Sequence, residues 1–387
     1  MNKNKKPAKL TVLVVTSIHP DFDARVWRHA RSLASIGYTV HLICPWKVAD
    51  KSIKDGVIFH TFKSIEKRWQ RPFLVPIRVL KKVFLLLNSV NIIHFHDLDL
   101  LPFFALLSPV KPVVYDVHEN YPLEMLSRNW IPEKLRFTSY LLVKYGQKFF
   151  SQIIKNVVLV TPDQVADFSG ERIRHITLKN YASIPAEGQV EDNYQNRRDS
   201  VIFIGSHYES NGSLLILDIA EAVTKKNKDV IFYIADRFSS KVYRERWLSE
   251  VSSRNLGFVI HLLPNVLPID IIKSLNKATI AINPVLRVEK QIKAINSKLF
   301  EFMAAGLPFV TSDLPYPCEI VEETSAGLLA QPENVNSFAD AILHLVDDRK
   351  KAFEMGQKGR KAFSQKYSWE SQLEYLTVFY QEIIVAE

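Results

Sequence analysis

Glycine is absent from the turn where a dinucleotide-binding protein needs it most. After a basic tail, the chain runs through the apolar stretch "LTVLVVTS" (10–17) and turns at "IHPDFD" with no glycine. The fingerprint that lets a pyrophosphate approach the backbone is missing, so NAD and FAD are disfavoured. Cysteine is scarce: Cys44 and Cys318 are the only two. They permit one bridge at most and show no metal-ligand spacing, so a reducing cytoplasm is the expected setting. No run reaches the ~18 apolar residues of a membrane-spanning helix. The first apolar run is too short for a signal peptide, and "HPDFD" cuts it off. Internal repeats, low-complexity tracts and recognised nucleic-acid modules are missing as well.

Positive charge is plentiful and unevenly spread. Residues 1–190 hold 27 lysines and arginines against 15 aspartates and glutamates, a net +12. Residues 191–387 hold 23 against 26, a net −3. The first half therefore calls for an anionic partner: a membrane surface, a lipid-linked phosphate or nucleic acid. Within it, "KSIEKRWQRPFLVPIRVLKKVFLLL" (63–87) has seven basic residues and one acid, interleaved with Trp69, Phe73, Leu80, Phe84 and Leu85. That pattern fits a solvated basic helix face or a patch that docks onto anionic lipid. Because the whole half is basic, docking on a membrane is expected and nucleic acid is not.

The pattern along the chain is alternating α/β. "LTVLVVTS", a helix carrying Val26, Ala30, Leu33 and Ala34 on one face, and "YTVHLICP" (38–45) form a strand–helix–strand unit, with Asp23 placed to cap the helix. Further strands are expected at 56–62, 90–96, 112–118 and 156–161. A polar, aperiodic segment follows, and the pattern restarts at "VIFIGS" (201–206). The expected organisation is a Rossmann-like domain over 1–185, a linker over 186–200 and a second Rossmann-like domain over 201–367. A closing amphipathic helix over 368–387 carries Leu373, Leu376, Phe379 and Tyr380 on one side. Two such domains place the active site in the cleft between them, at the carboxyl ends of parallel strands.

One helix carries more than packing explains. In "NSKLFEFMAAGLPFVTSD" (296–313), Asn296 or Ser297 can cap, Leu299, Phe302 and Met303 make a buried stripe, and Gly306 with Pro308 ends the helix. Lys298 and Glu301, at i and i+3, share the neighbouring face. A helix N-terminus attracts an anion such as diphosphate, Lys298 adds a cation, and Glu301 can accept two hydrogen bonds from a vicinal diol such as a ribose. A glutamate near the helix dipole, paired with Lys298, also accounts for the two residues without any ligand.

These segments resemble the retaining GT-B glycosyltransferases of glycosyltransferase family 4 over nearly the whole chain. "KLFEFMAAGLPFVTSD" is similar to that family's nucleotide-sugar segment. "DFDARVWRHARSLASIGYTVHLICP" is similar to its first helix and second strand. "IIHFHD" (92–97) and "VVYDVHENYP" (113–122) resemble its strand-end motifs. "LVTPDQVADF" (159–168) and "LKNYASIP" (178–185) resemble the segments before its linker, and Ser368–Trp369 resembles the start of its closing helix.

The resemblance implies two Rossmann-like domains facing a central cleft, with the closing helix returning to the first. It implies transfer of a hexose from a nucleoside diphosphate sugar, UDP- ahead of GDP-, to a hydroxyl of a lipid-linked or saccharide acceptor. Configuration is retained, and neither a metal nor a cofactor takes part. Glu301 corresponds to the ribose-binding glutamate, and Gly205 to the glycine that admits the donor phosphates. His118 falls near the transferred sugar as the catalytic candidate. His19, Asp23, Arg25, His96 and Glu119 fall on the acceptor side. Two departures stand out. Lys293 occupies the place of the first glutamate of the family's usual pair, and Ser206 and Asn211 occupy the places of a basic pair after Gly205. Arg287, Lys290, Lys293 and Lys298 could supply the missing charge. A non-catalytic scaffold with this fold, or a sugar-nucleotide epimerase, are the alternative readings.

Overall fold

Buried parallel strands need apolar side chains on both faces, and the first such run forms the centre of an eight-stranded sheet. The computed structural model describes residues 10–19, 24–45, 49–65, 70–117, 120–128, 130–168, 170, 172–185, 188–190, 193–264, 266 and 270–386. The chain divides into two units: residues 1–180 with 372–387, and residues 181–371.

The strands of the first unit are β1 (Thr11–Val15), β2 (Thr39–Pro45), β3 (Ile53–Lys54), β4 (Val57–Phe62), β5 (Ile92–Phe95), β6 (Val113–Val117), β7 (Asn156–Leu159) and β8 (Arg174–Thr177). Their order is β3-β4-β2-β1-β5-β6-β7-β8. All neighbours are parallel except β3, which runs antiparallel to β4. The order reverses direction between β1 and β5, so the sheet has a topological switch point there. Leu13, Val15, Phe95, Tyr115 and Leu159 form a core on one side with Val75, Val79, Val83, Phe104 and Ile154 from the covering helices.

The second unit contains β9 (Ser200–Phe203), β10 (Ile231–Ala235), β11 (Ile260–Leu263), β12 (Ile280–Asn283), β13 (Phe309–Ser312) and β14 (Gly327–Ala330). The order is β11-β10-β9-β12-β13-β14, with every pair parallel. Its switch point lies between β9 and β12. Period-two alternation sorts the strand side chains: Val201 and Phe203 enter one core, Ile202 and Ile204 the other.

The segment before β9 belongs to the second unit from residue 181 onward, a few residues earlier than the expected boundary. The reason is local. Ala182 bridges Ser368, the Trp369 N–H donates to the Ala182 carbonyl (2.8 Å), and the Ile184 N–H donates to Glu370 (2.9 Å). The helix Glu370–Val385 buries Leu373, Leu376, Phe379, Tyr380 and Ile383. Its Gln372 clamps the Lys179 backbone with two hydrogen bonds (2.7 and 2.8 Å), within the first unit. Among the described residues no helix is long and apolar enough to cross a membrane.

Candidate functional site

The helix Ser297–Ala304 forms as its sequence dictates. Asn296 caps it, its side chain accepting from the Lys298 N–H (3.3 Å). The cap is itself held. Asn296 Nδ2 donates to Asn283 Oδ1 and Asn283 Nδ2 donates to Thr311 Oγ1, each at 3.0 Å. Leu299, Phe302 and Met303 are buried. At the other end Gly306 takes a positive φ (67°), the Leu307 N–H reaches the Phe302 carbonyl (2.9 Å), and the Gly306 N–H reaches that of Met303 (3.0 Å). This is a Schellman termination, which a residue with a Cβ would strain.

The N-terminus of that helix opens onto a pocket of about 300 Å³ at the second unit's switch point. The polar walls come from three places. Gly205 and Ser206 follow β9, Arg237 follows β10, and Lys290, Asn296, Ser297, Lys298 and Glu301 come from the segment after β12. Gly205 is required by close approach. A Cβ there would lie 2.5 Å from both Lys298 Cε and Phe203 Cζ. Lys298 threads through this gap, with Nζ 5.5 Å over the Phe203 ring. Burial lowers its ammonium to about 8, with Glu301 pulling upward and Arg237 pushing further down. Lys298 is held by its packing between Gly205 and Phe203 as well as by the charge of Glu301.

The turn after β9 is built around His207 and Asn211. His207 is fully buried, and burial pushes its imidazole down to about 4, so it is neutral. Its Nε2 donates to the Ala235 carbonyl (3.1 Å), which leaves Nδ1 to accept from the Ser213 hydroxyl (2.6 Å). Its ring stacks on Phe238, and its backbone N–H donates to the Arg237 carbonyl (2.8 Å). His207 thus fixes the backbone that carries Arg237. Asn211 is buried, donates to the Ser206 carbonyl and accepts from Gln291 Nε2, both at 2.9 Å. It shapes the pocket wall from within the turn.

Of the cations expected to supply charge, Lys290 and Lys298 line the pocket. Arg287 and Lys293 are exposed and are not among its lining residues. Lys293 pairs instead with Glu289 one helical turn away (2.7 Å). Arg237 was not foreseen. Its signal was its position directly after "VIFYIAD", the carboxyl end of a parallel strand, where ligands of open sheets bind.

The first unit's switch point is filled by its own side chains. Asp97, after β5, accepts from the Thr16 hydroxyl and the Ser17 N–H, both at 2.6 Å, and lies 3.2 Å from His19 Nε2. Asp99 accepts from the Ser17 hydroxyl (2.6 Å); burial and the Asp97 charge raise it to about 7. Arg25 grips Asp116 through Nε (3.2 Å) and Nη2 (2.9 Å). Burial alone would raise the Asp116 carboxyl, but Arg25, with His96 and His94, holds it well below the usual range. His94 and His96 reach Asp116 at 3.4 and 3.3 Å. The Tyr380 hydroxyl joins His94 (2.7 Å) to His29 (3.0 Å), and His29 meets His96 at 3.3 Å.

The ring nitrogens of His29, His94 and His96 lie within 4.8 Å of one another, as metal ligands would. These nitrogens are engaged in the polar ring, and the Arg25 guanidinium shares its carboxylate, which disfavours a second cation. His96 and Arg25 are buried, while His19 is half-buried. Asp116 was not foreseen, although an aspartate inside the apolar strand "VVYDV" has to be paired. His118, Glu119 and Asp23 lie outside the described residues.

Comparisons with known proteins agree on the fold. The family described as "Glycosyl transferases group 1" matches residues 198–348, inside the second unit. A poly(ribitol-phosphate) alpha-N-acetylglucosaminyltransferase from Staphylococcus aureus is 29% identical over 167 residues, 43% of this chain and 32% of that enzyme. The chain thus spans about a third of the length of that relative. The sucrose-phosphate synthase of Thermosynechococcus elongatus superposes with a TM-score of 0.74 at 15% identity, over 98% of this chain and 100% of that one. Anabaena HepE in complex with UDP and glucose gives 0.68 at 15% identity, over 95% and 99%. The fold is the GT-B glycosyltransferase architecture of two parallel-sheet domains.

Proposed function

We propose that this protein transfers a hexose from a nucleoside diphosphate sugar, UDP- ahead of GDP-, to a hydroxyl of a lipid-linked or polysaccharide acceptor, with retention of configuration. The observation that carries the reading is the pocket at the second switch point. It combines a capped helix N-terminus, a glycine that leaves room for close approach, three cations and one carboxylate. Diphosphate fits the N-terminus beside Lys298 and Arg237, with Lys290 at the rim. Glu301, one turn into the helix, fits the ribose diol. The leaving diphosphate gains negative charge as the glycosidic bond breaks. Lys298, fixed beforehand by packing, and the exposed Arg237 and Lys290 stabilise that charge. In this reading they do the work of a metal. His118 is the candidate beside the transferred sugar.

Arg237 also bears on the alternative of a non-catalytic scaffold. That alternative drew its strength from the missing basic pair after Gly205, and Arg237 supplies a cation from the neighbouring strand. The S. aureus relative, which by its name glycosylates a poly(ribitol-phosphate), supports an acceptor in bacterial surface polysaccharide assembly. The basic first unit suits a place on the inner face of the membrane, docked through residues 63–87. Residues 66–69 of that stretch, Trp69 included, lie outside the described residues.

The test is calorimetric titration with UDP and GDP, followed by a sugar-transfer assay with the donor of the nucleotide that binds. Saturable binding of one nucleotide, and transfer from its sugar, is expected. A folded protein that binds neither would return the scaffold reading to first place.

A further inference from the structure

A surface helix normally turns its apolar stripe inward and its polar face to water. The helix Glu133–Ile154 does the reverse along one line. Its inward side includes Gln147 and Ser151, both buried. Gln147 donates to the Tyr115 hydroxyl (2.9 Å). On the outside, Leu135, Leu142, Tyr145, Phe149 and Ile153 recur at steps of seven, three or four residues and fall on one face. Leu142 is 70% exposed and Phe149 63%. At 22 residues the helix is about 33 Å long, so the stripe runs the length of a small domain.

The stripe has neighbours on the same side of the first sheet. The helix Leu101–Leu107 packs beside it, and the Ser108 hydroxyl donates to the Ile153 carbonyl (3.3 Å). That helix exposes Leu106 (79%), and the turn after it exposes Val110. The helix Arg71–Leu86, which shares the same core, exposes Phe73, Ile77, Phe84 and Leu85 (83%). Apolar exposure repeated along one helix face and on the helix packed beside it marks an interaction surface.

Charge decides what covers it. The helix Glu133–Ile154 carries Lys134, Arg136, Lys144 and Lys148 against Glu133 alone. Arg71–Leu86 carries Arg71, Arg78, Lys81 and Lys82 with no acid. Lys82 and Lys144 each have one acidic neighbour, Asp50 and Asp167, and the surplus stays positive. A second copy seated on this face would meet the same charges, where paired helices need opposite ones along their seam. An anionic bilayer meets both properties: its headgroups take the lysines and arginines, and its acyl boundary takes the leucines and aromatics. We propose that the exposed stripe of Glu133–Ile154, with Leu106 and Val110 beside it, inserts into the surface of an anionic membrane. This rests on the membrane reading above and deepens it, from charge attraction by residues 63–87 to apolar insertion by a different helix.

The experiment is co-sedimentation of the full chain with phosphatidylcholine vesicles and with phosphatidylcholine–phosphatidylglycerol vesicles. It compares the wild type with Leu142→Ser/Phe149→Ser, using an unchanged circular dichroism spectrum and a single unfolding transition at the wild-type midpoint to show that the variant is folded. The wild type should bind the anionic vesicles and spare the neutral ones. The double variant should lose at least about tenfold in partitioning, because two large apolar side chains no longer leave water. A variant that binds as well as the wild type overturns insertion and leaves the electrostatic reading standing. A wild type that ignores both vesicles overturns both. So does a concentration-dependent dimer, seen by light scattering and abolished by the two serines, because a second copy then covers the face.

Discussion

The two sheets share a construction and differ in what they do with it. Each begins on a central strand, reverses its order beside that strand, and opens a crevice at the carboxyl ends, between β1 and β5 in one unit and between β9 and β12 in the other. In the first unit the polar groups after those strands are spent on each other: Thr16, Ser17 and His19 on Asp97, and Arg25, His94 and His96 on Asp116. In the second, Asn283 and Asn296 hold a helix cap, His207 and Asn211 hold a turn, and Lys298, Arg237 and Glu301 are left facing a pocket. The same topology gives a sealed polar core in one unit and an open pocket in the other. The difference lies in where the charged groups point: into their own sheet edge in the first unit, and into an open pocket in the second.

The comparison breaks most visibly at Arg25. Replacing it by alanine leaves Asp116 buried without its guanidinium, at a cost of about 3–5 kcal/mol. Denaturant unfolding should show that loss, while UDP affinity of the surviving folded protein stays within twofold. A variant of normal stability would mean that the first switch point is not sealed by this pair.

Lys298→Ala acts on the other side. One charge-assisted contact to phosphate contributes about 1.5–3 kcal/mol, so UDP affinity should drop roughly tenfold to a hundredfold. Titration of the wild type adds a pH signature. The free ammonium sits at about 8, and a bound diphosphate raises it. Affinity should therefore hold below pH 8 and fall as pH rises through and above it. The Lys298→Ala protein should lack that step. The smallest effect is expected at Lys293→Ala. Lys293 is paired with Glu289 and is not among the pocket's lining residues, so UDP affinity should change by less than about twofold.

The chain's sequence displays the central strands clearly, because strands buried on both faces have to be continuous apolar runs. β3, β8 and β14 are harder to see. "IK" and "RHIT" lie at a sheet edge with little burial, and "GLLA" is too short to separate from a helix end. The site divides in the same way. Lys298 and Glu301 are legible because helical periodicity puts them on one face. Gly205 is legible because it ends a strand. Arg287 and Lys293 look equally close to the helix in sequence, yet an i,i+4 partner holds Lys293 to Glu289 and Arg287 stays at the surface. Arg237 is sixty positions before the helix, and only the pairing of β9 with β10 brings it to the pocket. Periodicity reports which side chains share a face. It does not report which neighbouring strand lends a charge.

The central claim is that Glu301 holds the ribose of a nucleotide whose diphosphate rests at the helix N-terminus. The most direct measurement is calorimetric titration of wild type and Glu301→Ala with UDP and with 2′-deoxy-UDP. The wild type should prefer UDP by about tenfold, roughly one hydrogen bond to a charged acceptor, and Glu301→Ala should bind both equally weakly. Contradiction would come from a variant that keeps the wild type's preference for UDP, because the diol would then be held by another group.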